Sequence, residues 1–227
     1  MKHLFAKSAS AISIVIIILG VWSVSPALAG DSIAVVDQSN VVNVGLIDSI
    51  QILGPIGQEF TPAISGLDEV QLWTEDFGTG NGQETELQVI IRARTIDGPI
   101  LGTSLITSLP DKFQGITSFR FPELVSLRPG DLYVMQVIVV SGGTVLIGHN
   151  WGVGSSGGPG STYPGGTWII QGKPLPGNDL WFREGLANAA PQTMDYCKKD
   201  LWQYLIRVSG AHFKSQGNCI QYVKTGE

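Results

Sequence analysis

Short apolar runs broken by Gly, Pro and Asp fill residues 30–187, and no stretch keeps a helical 3.6-residue period over three turns. Leu87-Gln-Val-Ile-Ile-Arg-Ala-Arg-Thr95 alternates, with Leu87, Val89, Ile91 and Ala93 on one side and Gln88, Arg92 and Arg94 on the other. Side chains along a strand point alternately to its two faces, so this run predicts a half-buried strand. Tyr133–Val140 is rich in β-branched residues, and Ile116–Phe121, Val145–Trp151, Thr167–Gln171 and Leu180–Arg183 complete the clear cases. Ile33–Asp37, Gln51–Leu53, Gln58–Thr61 and Val70–Thr74 are earlier candidates. Arg128-Pro-Gly-Asp131 reads as a tight turn, with Pro presetting φ and Gly allowing a positive one. Eight to ten strands with turn signals between them predict an all-β sandwich or barrel. No βαβ unit is present, which excludes the doubly wound nucleotide-binding folds.

The pattern changes at the N-terminus. Lys2 and Lys7 precede an apolar run from Ile12 to Val24, and Ser25-Pro-Ala27-Leu-Ala29 follows with small residues at the two positions a signal peptidase reads. Residues 1–29 are therefore expected to be an export signal, with an uncleaved membrane anchor as the alternative. No second apolar run of spanning length follows, so no membrane span is expected after cleavage. The expected compartment is the periplasm or the extracellular space.

Composition adds limits. With 227 residues, 43% of them hydrophobic and only 15% charged, the chain is too apolar for disorder. A formal net charge of −5 argues against nucleic acid as a partner. Removing Lys2 and Lys7 makes the net −7, unevenly spread: residues 30–190 carry 7 basic and 16 acidic side chains, and residues 191–227 carry 5 and 3. That asymmetry, with Ala189-Ala-Pro191 at the step, divides the chain into a body over 30–187 and a small module over 188–227. Of the 29 glycines, 12 fall between Gly142 and Gly177, as turn chemistry around Tyr163.

Phe60-Thr-Pro-Ala-Ile-Ser-Gly-Leu-Asp-Glu-Val70, Leu127-Arg-Pro-Gly-Asp-Leu-Tyr133, Tyr163-Pro-Gly-Gly166 and Asn178-Asp-Leu-Trp-Phe-Arg183 occur in that order. Together they resemble the carbohydrate-binding-module-like jelly-roll domains of bacterial exported and surface proteins. The resemblance covers about residues 50–185 and implies an antiparallel jelly-roll β-sandwich. Further on, Cys197-Lys-Lys-Asp-Leu-Trp202 and Phe213-Lys-Ser-Gln-Gly-Asn-Cys219 are similar to a short two-cysteine module that ends many bacterial secreted proteins. Asp200-Leu201 stands where glycines are usual there, and the insert through Ile206–His212 is longer. This second resemblance implies a partly helical module stapled by a Cys197–Cys219 disulfide, with two free structural thiols as the alternative.

Candidate chemistry is sparse. Gly154-Ser-Ser156-Gly-Gly158 matches G-x-S-x-G, and Asp179 or Asp195 and then His212 follow in hydrolase order. However, Pro159 to Gly166 cannot form the helix that a nucleophile elbow requires. Glu75, Asp76, Glu84 and Glu86 could pair for glycoside hydrolysis but read more simply as a solvated turn. Asp76, Asn81 and Glu84 could offer oxygens to a structural Ca²⁺, without the regular calcium-loop spacing. No other cofactor is expected, and zinc has only His149 and His212 in the mature chain.

Aromatic residues are the remaining lead, because sugar rings stack on Trp and Tyr. Alternation assigns Trp151 and Trp168 to the core, and turns Trp73, Trp181 and Arg183 outward, with Arg92 and Arg94 also outside. The expected function is an exported, non-catalytic protein binding a polysaccharide or a surface protein. Trp73, Trp181 and Tyr163 would stack, while Arg92, Arg94 and Arg183 would donate hydrogen bonds. The alternatives are a structural or interaction protein of the envelope or extracellular matrix, and a secreted hydrolase.

Overall fold

The structure is a computed structural model describing residues 33–41, 46–77, 80, 82–150 and 163–226. Residues 1–29, expected to be an export signal, Asn81, Trp151 and the serine motif at 154–158 lie outside the described residues. The described chain is mostly β. Its strands are β1 (Val35–Asn40), β2 (Leu46–Ser49), β3 (Ile56–Phe60), β4 (Gly66–Phe77), β5 (Thr85–Ala93), β6 (Ile100–Thr103), β7 (Thr107–Leu109) and β8 (Gln114–Ser126). They continue as β9 (Tyr133–Ser141), β10 (Thr144–Asn150), β11 (Trp168–Ile170), β12 (Lys173–Leu175), β13 (Asp179–Leu180) and β14 (Phe182–Leu186). Two antiparallel sheets result. One runs β1-β14-β4-β10-β13, with β8 on β4 and β2 on β10; the other runs β12-β11-β3-β9-β5-β6, with β7 on β5.

The alternation read from the sequence is what the core uses. Val70, Leu72, Phe119, Val145, Ile147, Leu180 and Phe182 of the first sheet share one buried cluster with Ile56, Phe60, Leu87, Val89, Ile91, Met135 and Trp168 of the second. The arrangement is sandwich-like, with two inner faces burying one another. Hydrogen bonds join the sheets at both edges. Leu105 N–H donates to the Arg120 carbonyl at 2.8 Å beside β8. At the opposite edge Trp168 N–H donates to the Asn178 carbonyl at 2.7 Å, and Leu180 N–H donates to Gln58 Oε1 at 2.8 Å.

Gln51–Leu53 departs from the expected strand. It belongs to a one-turn helix α1 (Ile50–Leu53), which Ser49 caps by accepting the Ile52 N–H at 3.3 Å. An apolar run this short carries no decisive period, and the cap decides it. The Arg128–Asp131 turn forms as expected, with Gly130 at φ +83°.

After β14 the chain makes two short 3₁₀ turns, Met194–Cys197 and Leu201–Gln203, and then helix α2 (Gln216–Thr225). Ser215 caps α2 by accepting the Asn218 N–H at 3.2 Å, and Gly226 ends it in the left-handed region at φ +78°. A Cys197–Cys219 disulfide joins the first turn to α2. Both cysteines pack in a second cluster with Tyr196, Leu201, Leu205 and Phe213, and this cluster includes Ile64 and Leu186 of the body. Tyr196 Oη donates to Asp68 of the body, fastening the segment to it, while Ile206 N–H donates to the Ala189 carbonyl within the segment. No helix among the described residues is long and apolar enough to cross a membrane.

Candidate functional site

The six residues expected to hold a ligand do not form one surface. Leu180 and Phe182 point into the core as expected, which turns Trp181 and Arg183 to the outer face of the first sheet. There the Arg183 guanidinium lies 5.4 Å from the Trp181 ring centre. The register Leu72↔Phe182 and Gln71↔Arg183 brings Trp73 beside them on the same sheet, where it is half-buried. Trp181 is only 7% exposed, however, so it has no open ring face for a sugar. Tyr163 is likewise 7% exposed. Its ring packs edge-on against Phe182 at 5.0 Å, and its hydroxyl accepts the Thr61 N–H at 3.0 Å. Its position in a Gly/Pro segment suggested exposure, yet the ring fills the core between the sheets. Arg92 and Arg94 belong to β5 and the turn after it, in the other sheet. Arg92 is engaged within that sheet, donating Nε to Gln136 Oε1 at 2.6 Å and a terminal nitrogen to the Gly98 carbonyl at 2.9 Å.

The acidic turn is similarly occupied by its own neighbours. Asp76 is buried, with Oδ1 accepting the Thr85 hydroxyl at 3.1 Å and Oδ2 accepting the Lys112 N–H at 3.0 Å. Glu84 accepts the Ser108 hydroxyl and Glu86 the Ser141 hydroxyl, each at 2.7 Å. Among the described residues no group of three or more His, Cys, Asp and Glu is set to hold a metal ion. Asp179, from the hydrolase pattern, is buried under Gln58, whose Nε2 donates to it at 2.7 Å. His212 is exposed on the C-terminal segment, bridged to Ile206.

Arg94 leads to a different site. The turn after β5, the β8–β9 turn and the C-terminal segment together line a cleft of about 520 Å³. Arg94, Arg128 and Lys199 bring three exposed cations to it, against one carboxylate, Asp131. Exposed Leu101 and Leu132 give it an apolar wall. Backbone contacts fix the frame. Arg94 N–H donates to the Leu132 carbonyl at 3.0 Å, and Arg128 N–H donates to Tyr133 Oη at 2.9 Å. Lys199 Nζ donates to the Leu127 carbonyl at 3.3 Å. Neither guanidinium has a carboxylate partner among the described residues. The sequence places Arg94 with Arg92 on the outward side of one strand; Arg128 reads only as part of a turn and Lys199 only as part of a two-cysteine motif. Nothing in their spacing brings them together.

A second group of ionisable residues lies inside the body. Glu184 follows Leu180 and Phe182 on the inward face of β14 and is wholly buried. Burial, and then the nearby Asp37 carboxylate, push it well above the usual carboxylate range. Burial also raises Asp179 to about 6, against the opposing hydrogen bond from Gln58. His149 stacks on Trp168 at 4.1 Å, and burial lowers it although its Nε2 lies 2.9 Å from Asp48 Oδ2. No known protein family and no curated protein matches this chain.

Proposed function

We propose that the protein is an exported, non-catalytic binding protein of jelly-roll topology, and that its ligand is an anionic glycan of a cell surface. The observation that carries this reading is the exposed guanidinium pair, Arg94 and Arg128, in a cleft with an apolar wall. A guanidinium offers a planar fork of donors that matches a carboxylate or a phosphate, and the wall suits the C–H faces of sugar rings. Residues 30–190 carry 16 acidic against 7 basic side chains, so a polyanion is repelled from most of this body. In the cleft the balance is reversed, with Arg94, Arg128 and Lys199 against Asp131. The Cys197–Cys219 disulfide fits an oxidising compartment, which supports export.

Retention of the purified protein on immobilised polygalacturonate at low ionic strength, beside neutral dextran, tests the reading. Binding to the polyanion alone is expected, weakened by about tenfold when Arg94→Ala and Arg128→Ala are combined. Undiminished binding by that double variant would sink the cleft as the site, and equal retention on dextran would sink an anionic ligand.

A further inference from the structure

We infer that the C-terminal segment is a working part of this ligand site: the Cys197–Cys219 disulfide holds Lys199 at the cleft as a third cation for the anionic glycan. The inference rests on the reading of the cleft given above. Lys199 follows Cys197 by two residues and precedes Leu201, and both of these neighbours are buried in the second core cluster. The staple thus sets where the lysine stem starts. The far end is fixed by the body, because Nζ donates to the Leu127 carbonyl. An ammonium has three donors, so two remain for a ligand.

Backbone conformation points the same way. Among the described residues four non-glycine residues have positive φ, and two of them, Arg94 at +68° and Lys199 at +51°, line this one cleft. That region costs a residue with a Cβ about 1 kcal/mol or more, and glycine would relieve it at either position. A glycine would also remove the charge. Such strain persists only where the surrounding structure holds it. The adjacent lysine is a built-in comparison: Lys198 is paired with Asp195 at 2.5 Å, while Lys199 has no carboxylate partner among the described residues.

The test measures affinity for polygalacturonate and for dextran sulfate, the carboxylate and sulfate sources of the same charge, with neutral dextran as blank. Lys199→Gln should weaken binding to the preferred polyanion by about fivefold and reduce its salt dependence, with Lys199→Arg restoring both. Lys198→Gln should change binding less than twofold, within what an exposed ion pair contributes. Cys197→Ser with Cys219→Ser should match Lys199→Gln in affinity, with circular dichroism reporting whether the sheets persist. Equal effects of Lys198→Gln and Lys199→Gln, or unchanged binding by a Cys-free variant, would overturn the inference and leave the Arg94 and Arg128 site standing. Binding of the unaltered protein to neither polyanion would overturn the glycan reading and this inference together.

Discussion

Glu184 is the residue at which local pattern and chemistry diverge most. Its position, in step with Leu180 and Phe182 along the strand, is one that packing reserves for an apolar side chain. The carboxyl stands there buried beside the Asp37 carboxylate, so its neutral form is favoured. The sign of the pH effect follows. Glu184 and Asp179 have folded pKa values above their ordinary 4.5 and 3.8, so above those values the folded chain holds protons that the unfolded chain has lost. Stability from both groups therefore falls as pH rises from about 4, for Asp179 until about 6 and for Glu184 further. His149 works in the opposite direction: its lowered value makes stability rise as pH climbs toward 6.5. Glu184→Gln isolates the first effect. Urea unfolding should find the variant and the parent equally stable at pH 4, and the variant more stable by about 1–3 kcal/mol at pH 8. Equal stability at both pH values would show that the carboxyl is solvated.

At the scale of elements, β13 and β14 carry one run of chain across two partners of the first sheet. Phe182–Gly185 pairs with Leu72–Glu69 of β4, while Leu180 and Asp179 pair with His149 and Asn150 of β10. The other edge of β14 meets β1 through a bulge between Val36 and Gln38. Gly185 lies opposite that bulge with φ +154°, and a Cβ there would come within 2.0 Å of the Val35 carbonyl oxygen. Gly185→Ala should therefore lower stability by about 2 kcal/mol or more in urea unfolding, and an unchanged midpoint would show that β1 can move aside. β5 was legible from its alternation, β9 from its β-branched residues, and the start of β14 from Leu180 and Phe182 alternating with Trp181 and Arg183. β2, β6, β7 and β12, at three or four residues each, were not. β2, β6 and β7 take their conformation from pairing with a longer neighbour, and β12 from pairing with the equally short β11, which leaves no periodic mark. Trp181 marks the same boundary. Alternation gave its face correctly, but its cover includes Arg183 two positions on, and burial was invisible to the pattern.

The whole molecule depends on the join between the sandwich-like body and the C-terminal segment. The segment shares its core with Ile64 and Leu186, and the disulfide closes a loop whose cysteines are 22 positions apart. On the chain-entropy account a loop of this length should stabilise by about 3 kcal/mol. The Cys197→Ser, Cys219→Ser protein should lose about that much in urea, and a loss under about 1 kcal/mol would mean that the shared core alone holds the segment. By itself the sequence determined the β-rich class, the inward faces of the long strands and the turn at Gly130, because each rests on residues adjacent along the chain. The expectation of a cysteine staple came from motif resemblance, and the structure contains that disulfide. Only tertiary structure decided that Tyr163 is core and that Trp73 and Arg92 lie on different sheets. It alone brought Arg94, Arg128 and Lys199 to one cleft. A site assembled from three distant turns has no sequence period, since its geometry exists only once both sheets and the C-terminal segment have packed.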